Sequence, residues 1–215
     1  MLRNAPSYEL FTILIVLGIV FIASAKMVFP KRFNDFVYVL GNSKYLKIYS
    51  REQKFFDKFD AFLFVNLVIS LTIFIFICLG YEKNVLIPTV NDLFKLSVGI
   101  SIFILAKVLL ERLIGSLFEI DPLIDQYLFQ KITYKNFFGL LLLPINLLLI
   151  YRFKPSLILL YSILGMLLII NFVGLITSIK TNQSLIKQNL FYFILYLCAL
   201  EIAPYIILYK VFFHN

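Results

Sequence analysis

The sequence predicts an all-α, polytopic integral membrane protein of about six transmembrane helices, with an amphipathic interfacial loop between the first two. Three observations carry this. Hydrophobic residues make up 61% of the 215 residues and charged residues only 15%, and the mean hydropathy of +0.94 is far above that of a soluble domain. The apolar residues gather into runs of about 20, the length of helix that crosses a hydrocarbon core of about 30 Å. The polar residues fall in short segments between those runs, which leaves no room for a separate soluble domain. The chain therefore reads as one transmembrane domain over residues 1–215.

The first span, 10–29, follows a head with Arg3, Pro6 and Glu9. Ala23-Ser24-Ala25 has the small-residue pattern of a signal-peptide cleavage site. Cleavage would export the most basic loop of the chain, so the segment is retained as a span. That loop, Pro30 to Phe59, interleaves Lys44, Lys47, Arg51 and Lys54 with Phe33, Phe36, Tyr45, Tyr49, Phe55, Phe56 and Phe59. Bases mixed with this much aromatic surface predict a segment lying on the membrane at the headgroups, or a docking surface for a partner.

Span two, 60–80, holds Asn66, Ser70 and Thr72, which suit hydrogen bonds to a neighbouring helix. Span three, 93–118, carries Lys95, Lys107, Glu111 and Arg112, with Lys107 and Glu111 four apart on one helical face. A lysine deep in a span calls for an acidic partner. Residues 119–135 read as a polar loop. Asp121 and Asp125 in that loop form a DxxxD, the one pattern with any resemblance to a metal site. A second acidic cluster is missing, so Asp121 before Pro122 reads instead as a helix cap.

Span four, 136–151, is short and interrupted by Pro144 and Asn146; span five, 156–178, contains Asn171. Span six, 189–213, places Glu201 near its centre and Pro204 beside it, a costly carboxylate next to a backbone bend. Counted along their own spans, Lys107 and Glu201 fall at one depth, which predicts a pair between them with Glu111 as competitor. No catalytic, cofactor or metal-binding set emerges. Cys78 and Cys198 lie within spans without metal spacing, and the single histidine, His214, is penultimate.

Odd-numbered loops hold twelve bases and the other side five, three more lying inside span three. Odd loops are therefore expected to be cytoplasmic and both termini periplasmic. The net charge of +8 belongs to loops facing anionic headgroups, not to nucleic-acid binding.

The leading Arg3-Asn4 with Pro6, the loop FPKRFNDFVYVLGNSKYLKIYSREQKFF, the passage LIGSLFEIDPLIDQYLFQKITYKNFFGLLLLPINLLLIY and the closing FYFILYLCALEIAPYIILYK resemble a domain-of-unknown-function family of polytopic inner-membrane proteins from Bacteroidota. The resemblance implies a bacterial inner-membrane protein and transfers no catalytic residue. Three functions are carried forward. First is a non-enzymatic subunit or assembly factor of an envelope complex of the export or secretion type, with lipid and other membrane proteins as partners. Next is a small proton-coupled transporter using Glu201 and Lys107. Last is a metal-dependent intramembrane transferase on a lipid-linked substrate, using Asp121 and Asp125.

Overall fold

The computed structural model describes residues 9–40, 44–50, 57–83, 89–153 and 155–181. These form seven helices: α1 (Glu9–Val28), α2 (Pro30–Val37), α3 (Lys44–Tyr49), α4 (Lys58–Lys83), α5 (Val90–Leu117), α6 (Asp121–Tyr151) and α7 (Leu157–Thr181). Five of them, α1, α4, α5, α6 and α7, are long and apolar enough to cross a membrane. The protein is an all-α, multi-pass membrane protein. Span six, with Glu201, Pro204 and Cys198, lies outside the described residues.

α4 and α6 run parallel and form the centre of the bundle, with α1 packed on both, α5 on both from another side, and α7 along α6. Close approach at the centre depends on glycine: a Cβ on Gly139 of α6 would meet the Leu67 Cα of α4 at 2.6 Å. Small residues let membrane helices bring their backbones together, where van der Waals contact replaces the hydrophobic drive that lipid cannot supply. α1 shows the resulting sidedness. Phe11, Ile15, Gly18 and Ala25 face the bundle, while Ile13, Val16, Leu17, Ile19 and Val20 are exposed, an apolar surface suited to lipid.

Residues 119–135 are not a loop. α6 begins at Asp121 and continues for 31 residues, about 46 Å against a hydrocarbon core of about 30 Å. Its far end is level with the start of α1, where the Tyr151 and Thr12 hydroxyls are 2.5 Å apart. Asn136 is level with the start of α4, donating to Asp60 at 3.4 Å. Residues 121–135 therefore project about 22 Å past that level, and their Leu123, Ile124, Tyr127 and Leu128 are buried in a small separate cluster with Ile120.

The projecting half is joined to α5 by a tight turn. Ile120 N–H donates to Gly115 O at 2.9 Å and Glu119 N–H to Ser116 O at 3.3 Å, the paired bonds of a Schellman cap. Glu119 occupies its left-handed position at φ 55°. Asp121 is the first helical residue, with Ile120 at the cap position and no side-chain cap bond, so the expected Asp121 cap is not formed. At the other end of α5, Thr89 accepts from the Asp92 backbone N–H at 3.2 Å. Pro144 lies inside α6 without interrupting it.

Loop one also departs from expectation. Phe33, Phe36, Tyr45 and Phe59 are buried against Phe129 and Phe137 of α6, with the Tyr45 ring stacked on Phe129 at 5.9 Å. The apolar face of amphipathic α2 thus meets protein, Phe36 packing edge-on against Phe59 of α4 and Phe137 of α6; of the tyrosines between α1 and α4, Tyr38 stands well exposed.

Candidate functional site

The buried charge of the described residues collects at this one end. Arg32, in the first half of α2, is held there because Phe33 and Phe36 anchor the helix beneath it. Its guanidinium bonds Asp57, reaches Asp60 at 3.1 Å and donates from Nε to the Tyr45 hydroxyl at 3.2 Å. The cation lies over the Phe59 ring at 4.7 Å and the Tyr49 ring at 5.1 Å, a placement that adds cation–π attraction. Tyr49 in turn donates to Asp35 at 3.3 Å. One arginine therefore ties α2, α3 and the start of α4 together, and Asp60 extends the tie to α6 through Asn136.

Burial pulls Arg32 toward losing its proton, but Tyr45, Asp60 and Asp57 more than reverse this, and its pKa is raised above the ordinary value. The cation is permanent. Burial, then the Asp60 carboxylate, raises the Tyr45 phenol by more than Arg32 lowers it, so Tyr45 acts as a neutral acceptor for Arg32.

A second network joins α5 to the projecting part of α6. Glu111, fully buried, bonds Lys131 Nζ at 2.5 Å, with Lys107 Nζ at 4.0 Å. Its other oxygen, Oε2, has no hydrogen-bond partner among the described residues. Arg112 meets Asp125 at 3.6 Å on the exposed side of the same hairpin. Lys131 lies five residues, about 7.5 Å, beyond the level of Asn136, and Lys107 is one turn deeper than Glu111. Lys107 is therefore near the rim of the bundle and not at its middle, which removes the equal-depth basis for pairing it with Glu201. That pair itself falls outside the described residues.

The other predicted positions are scattered. Asn146 donates to the Ser70 carbonyl of α4 at 2.8 Å, a contact that helps bind the central pair. Asn171 bonds the Leu167 carbonyl of its own helix at 2.9 Å. Asp121 is exposed in the first turn of α6, and among the described residues no three His, Cys, Asp or Glu side chains group to hold a metal. Lys44 and Lys47 fall on α3 with their side chains outside the described part; Arg51 and Lys54 lie outside the described residues. Sequence reasoning missed Arg32, Asp57, Asp60 and Asn136 as a set. The available signal was two acids three residues apart beside the most basic loop.

The family described as a domain of unknown function (DUF4271) matches residues 11–212. The chain belongs to that family. The match takes in all five described spans as well as the segment bearing Glu201, so the DUF4271 domain is essentially the whole chain. No curated protein and no solved structure matches it.

Proposed function

We propose that this DUF4271 chain is a non-enzymatic integral subunit or assembly factor of a bacterial envelope complex of the export or secretion type, in the inner membrane of a Bacteroidota bacterium. Both termini would be periplasmic and the Arg32 end cytoplasmic. One observation carries the proposal: the buried ionisable side chains at the Arg32 end pair with one another across helices, Arg32 with Asp57 and Asp60, and Glu111 with Lys131. Charges arranged in this way fix a shape. A chemical site would instead turn them toward a cavity where a substrate could be met.

The basic stretch of the sequence containing Lys44, Lys47, Arg51 and Lys54 would supply the contact for a cytoplasmic or membrane partner. Recovery from native membranes in mild detergent, followed by mass spectrometry, is expected to yield one or more partners in fixed stoichiometry. Exchange of those four bases for glutamine should lower that recovery without loss of insertion. A chain that purifies alone refutes the subunit proposal.

A proton-coupled transporter has one supporting observation, the fully buried Glu111 between Lys107 and Lys131, one oxygen of which has no hydrogen-bond partner among the described residues. Proton flux in proteoliposomes that is abolished by Glu111→Gln would favour it. The transferase gains no support, because Asp125 is turned to Arg112.

A further inference from the structure

The hairpin of α5 and α6 carries leucines to a height where lipid does not reach them. Asp60 and Asn136 mark the rim of the bundle. Glu111 of α5 meets Lys131, about 7.5 Å beyond that rim, and a Cβ on Gly115 would meet Ile124 at 2.9 Å, a level about 18 Å beyond it. Leu113 stands between these two levels and Leu117 past the second. The headgroups add only about 5–8 Å to the hydrocarbon on each side. Leu109, Leu113 and Leu117 are 55%, 57% and 70% exposed, and apolar surface of this kind outside a bilayer marks an interaction site.

The exposed residues form a seam. Ile102, Ala106, Leu109, Leu113 and Ser116, all exposed, follow one another at intervals of 4, 3, 4 and 3 residues, the 3.5-residue period at which two helices pack along their length. Ala106 and Ser116 are small enough to let the backbones approach, and Leu105, Leu110 and Leu117 flank the line. Leu109 and Leu113 each lie two residues from fully buried Glu111, which puts the seam on the side of α5 opposite α6. We propose that this seam pairs with its own counterpart in a second copy of the chain, the two α5 helices running parallel about a twofold axis. In such a pair each residue meets its twin, so a charge on the seam would repel its equal. The seam is uncharged, and the charges beside it are engaged with α6, Glu111 with Lys131 and Arg112 with Asp125. A second copy inserted in the same orientation also carries its leucines at the same height beyond the rim, which sets the register. The pairing ends at Ile102: Lys95, seven residues earlier on the same face, would face its twin, and a crossing angle of about 20° carries the helices apart toward that end. The pairing needs no further subunit.

In a background of Cys78→Ala and Cys198→Ala, the full-length chain is given Leu109→Cys, Leu113→Cys or Ser116→Cys singly and oxidised in native membranes. Each should form a covalent dimer of twice the 25.1 kDa chain mass. It should do so at least about tenfold faster than Tyr38→Cys, because thiols held side by side react without waiting for a chance encounter. Tyr38 is exposed at the same end of the bundle but off the seam. Leu113→Lys and Leu113→Glu each change a side chain that is exposed in the single chain, so both should insert normally and purify in detergent as monomers. Co-expressed under different tags, the two should copurify as a mixed dimer, since position 113 faces itself. Oxidation on the seam no faster than at Tyr38→Cys overturns the proposal. So do dimers that survive Leu113→Lys, and a mixed pair that stays monomeric beside a dimeric wild type. Adducts of Leu113→Cys with a different protein overturn it too, as they would make the seam a contact for another subunit.

Discussion

At the scale of single residues, Arg32 does more for the fold than any group the sequence singles out. Among the described residues it is the one cation seen to contact Asp57, Asp60 and Tyr45 together, and its side chain is only 13% exposed. Replacement by methionine leaves two acids facing each other without a counter-charge, a loss of about 3 kcal/mol. The thermal midpoint in detergent should fall accordingly, and Arg32→Met combined with Asp57→Asn and Asp60→Asn should recover part of it. A midpoint unchanged in Arg32→Met would refute the role. Tyr45 supplies a pH test. Its folded pKa is raised above the ordinary value near 10, so its contribution is complete below about pH 10 and is lost as pH climbs through the folded value. Wild type should thus lose stability relative to Tyr45→Phe only above about pH 10, in paired unfolding curves from pH 8 to 11. None of this was legible from spacing. The loop offers several bases to the same two acids, and only the seating of Phe36 against Phe59 and Phe137 decides which base is turned inward.

Among the elements, the spans were legible because lipid demands a continuous apolar run, whereas the start of α6 was not. Its first turns carry Asp121, Asp125, Lys131 and Lys135, which in a search for spans reads as loop. The helical spacing of Leu123, Ile124, Tyr127 and Leu128 was the missed sign, since those four are buried together. The turn before it is strained by a glutamate where glycine is usual. Glu119→Gly should therefore stabilise the α5–α6 hairpin by about 1 kcal/mol, seen as slower amide exchange over residues 112–128; faster exchange would count against the cap. Glycines on two helices give a paired contrast. Gly139→Ala forces α4 and α6 apart at the Leu67 backbone, at a cost of about 1–3 kcal/mol. Gly99→Ala meets open space and should be neutral or stabilising by up to about 1 kcal/mol from helix propensity. Unfolding midpoints that shift alike for the two would mean that the central contact is not close.

For the molecule as a whole, the packed helices turn a count of bases into a direction. The last turns of α1 and α7 hold Lys26 and Lys180, and both lie at the end occupied by Arg32, Lys58 and Lys131. Lys83 closes α4 at the opposite end, where Arg152 follows α6. The excess of bases at the Arg32 end is the basis of the proposed cytoplasmic placement of that end, since Lys and Arg are enriched in cytoplasmic loops. In a background of Cys78→Ala and Cys198→Ala, a membrane-impermeant maleimide applied to cells with a permeabilised outer membrane should label Arg152→Cys and leave Ser43→Cys unreacted. Labelling of Ser43→Cys with protection of Arg152→Cys reverses the orientation. Asn215→Cys decides the parity of the chain beyond α7, which ends at Thr181 on the cytoplasmic side in this assignment. A run of 25 residues at 189–213 is about 37 Å as a helix, longer than the core it must cross. If it crosses, Asn215→Cys reacts from outside together with Arg152→Cys; if Asn215→Cys is protected while Arg152→Cys reacts, that segment returns to the cytoplasmic side and Glu201 has no transmembrane setting.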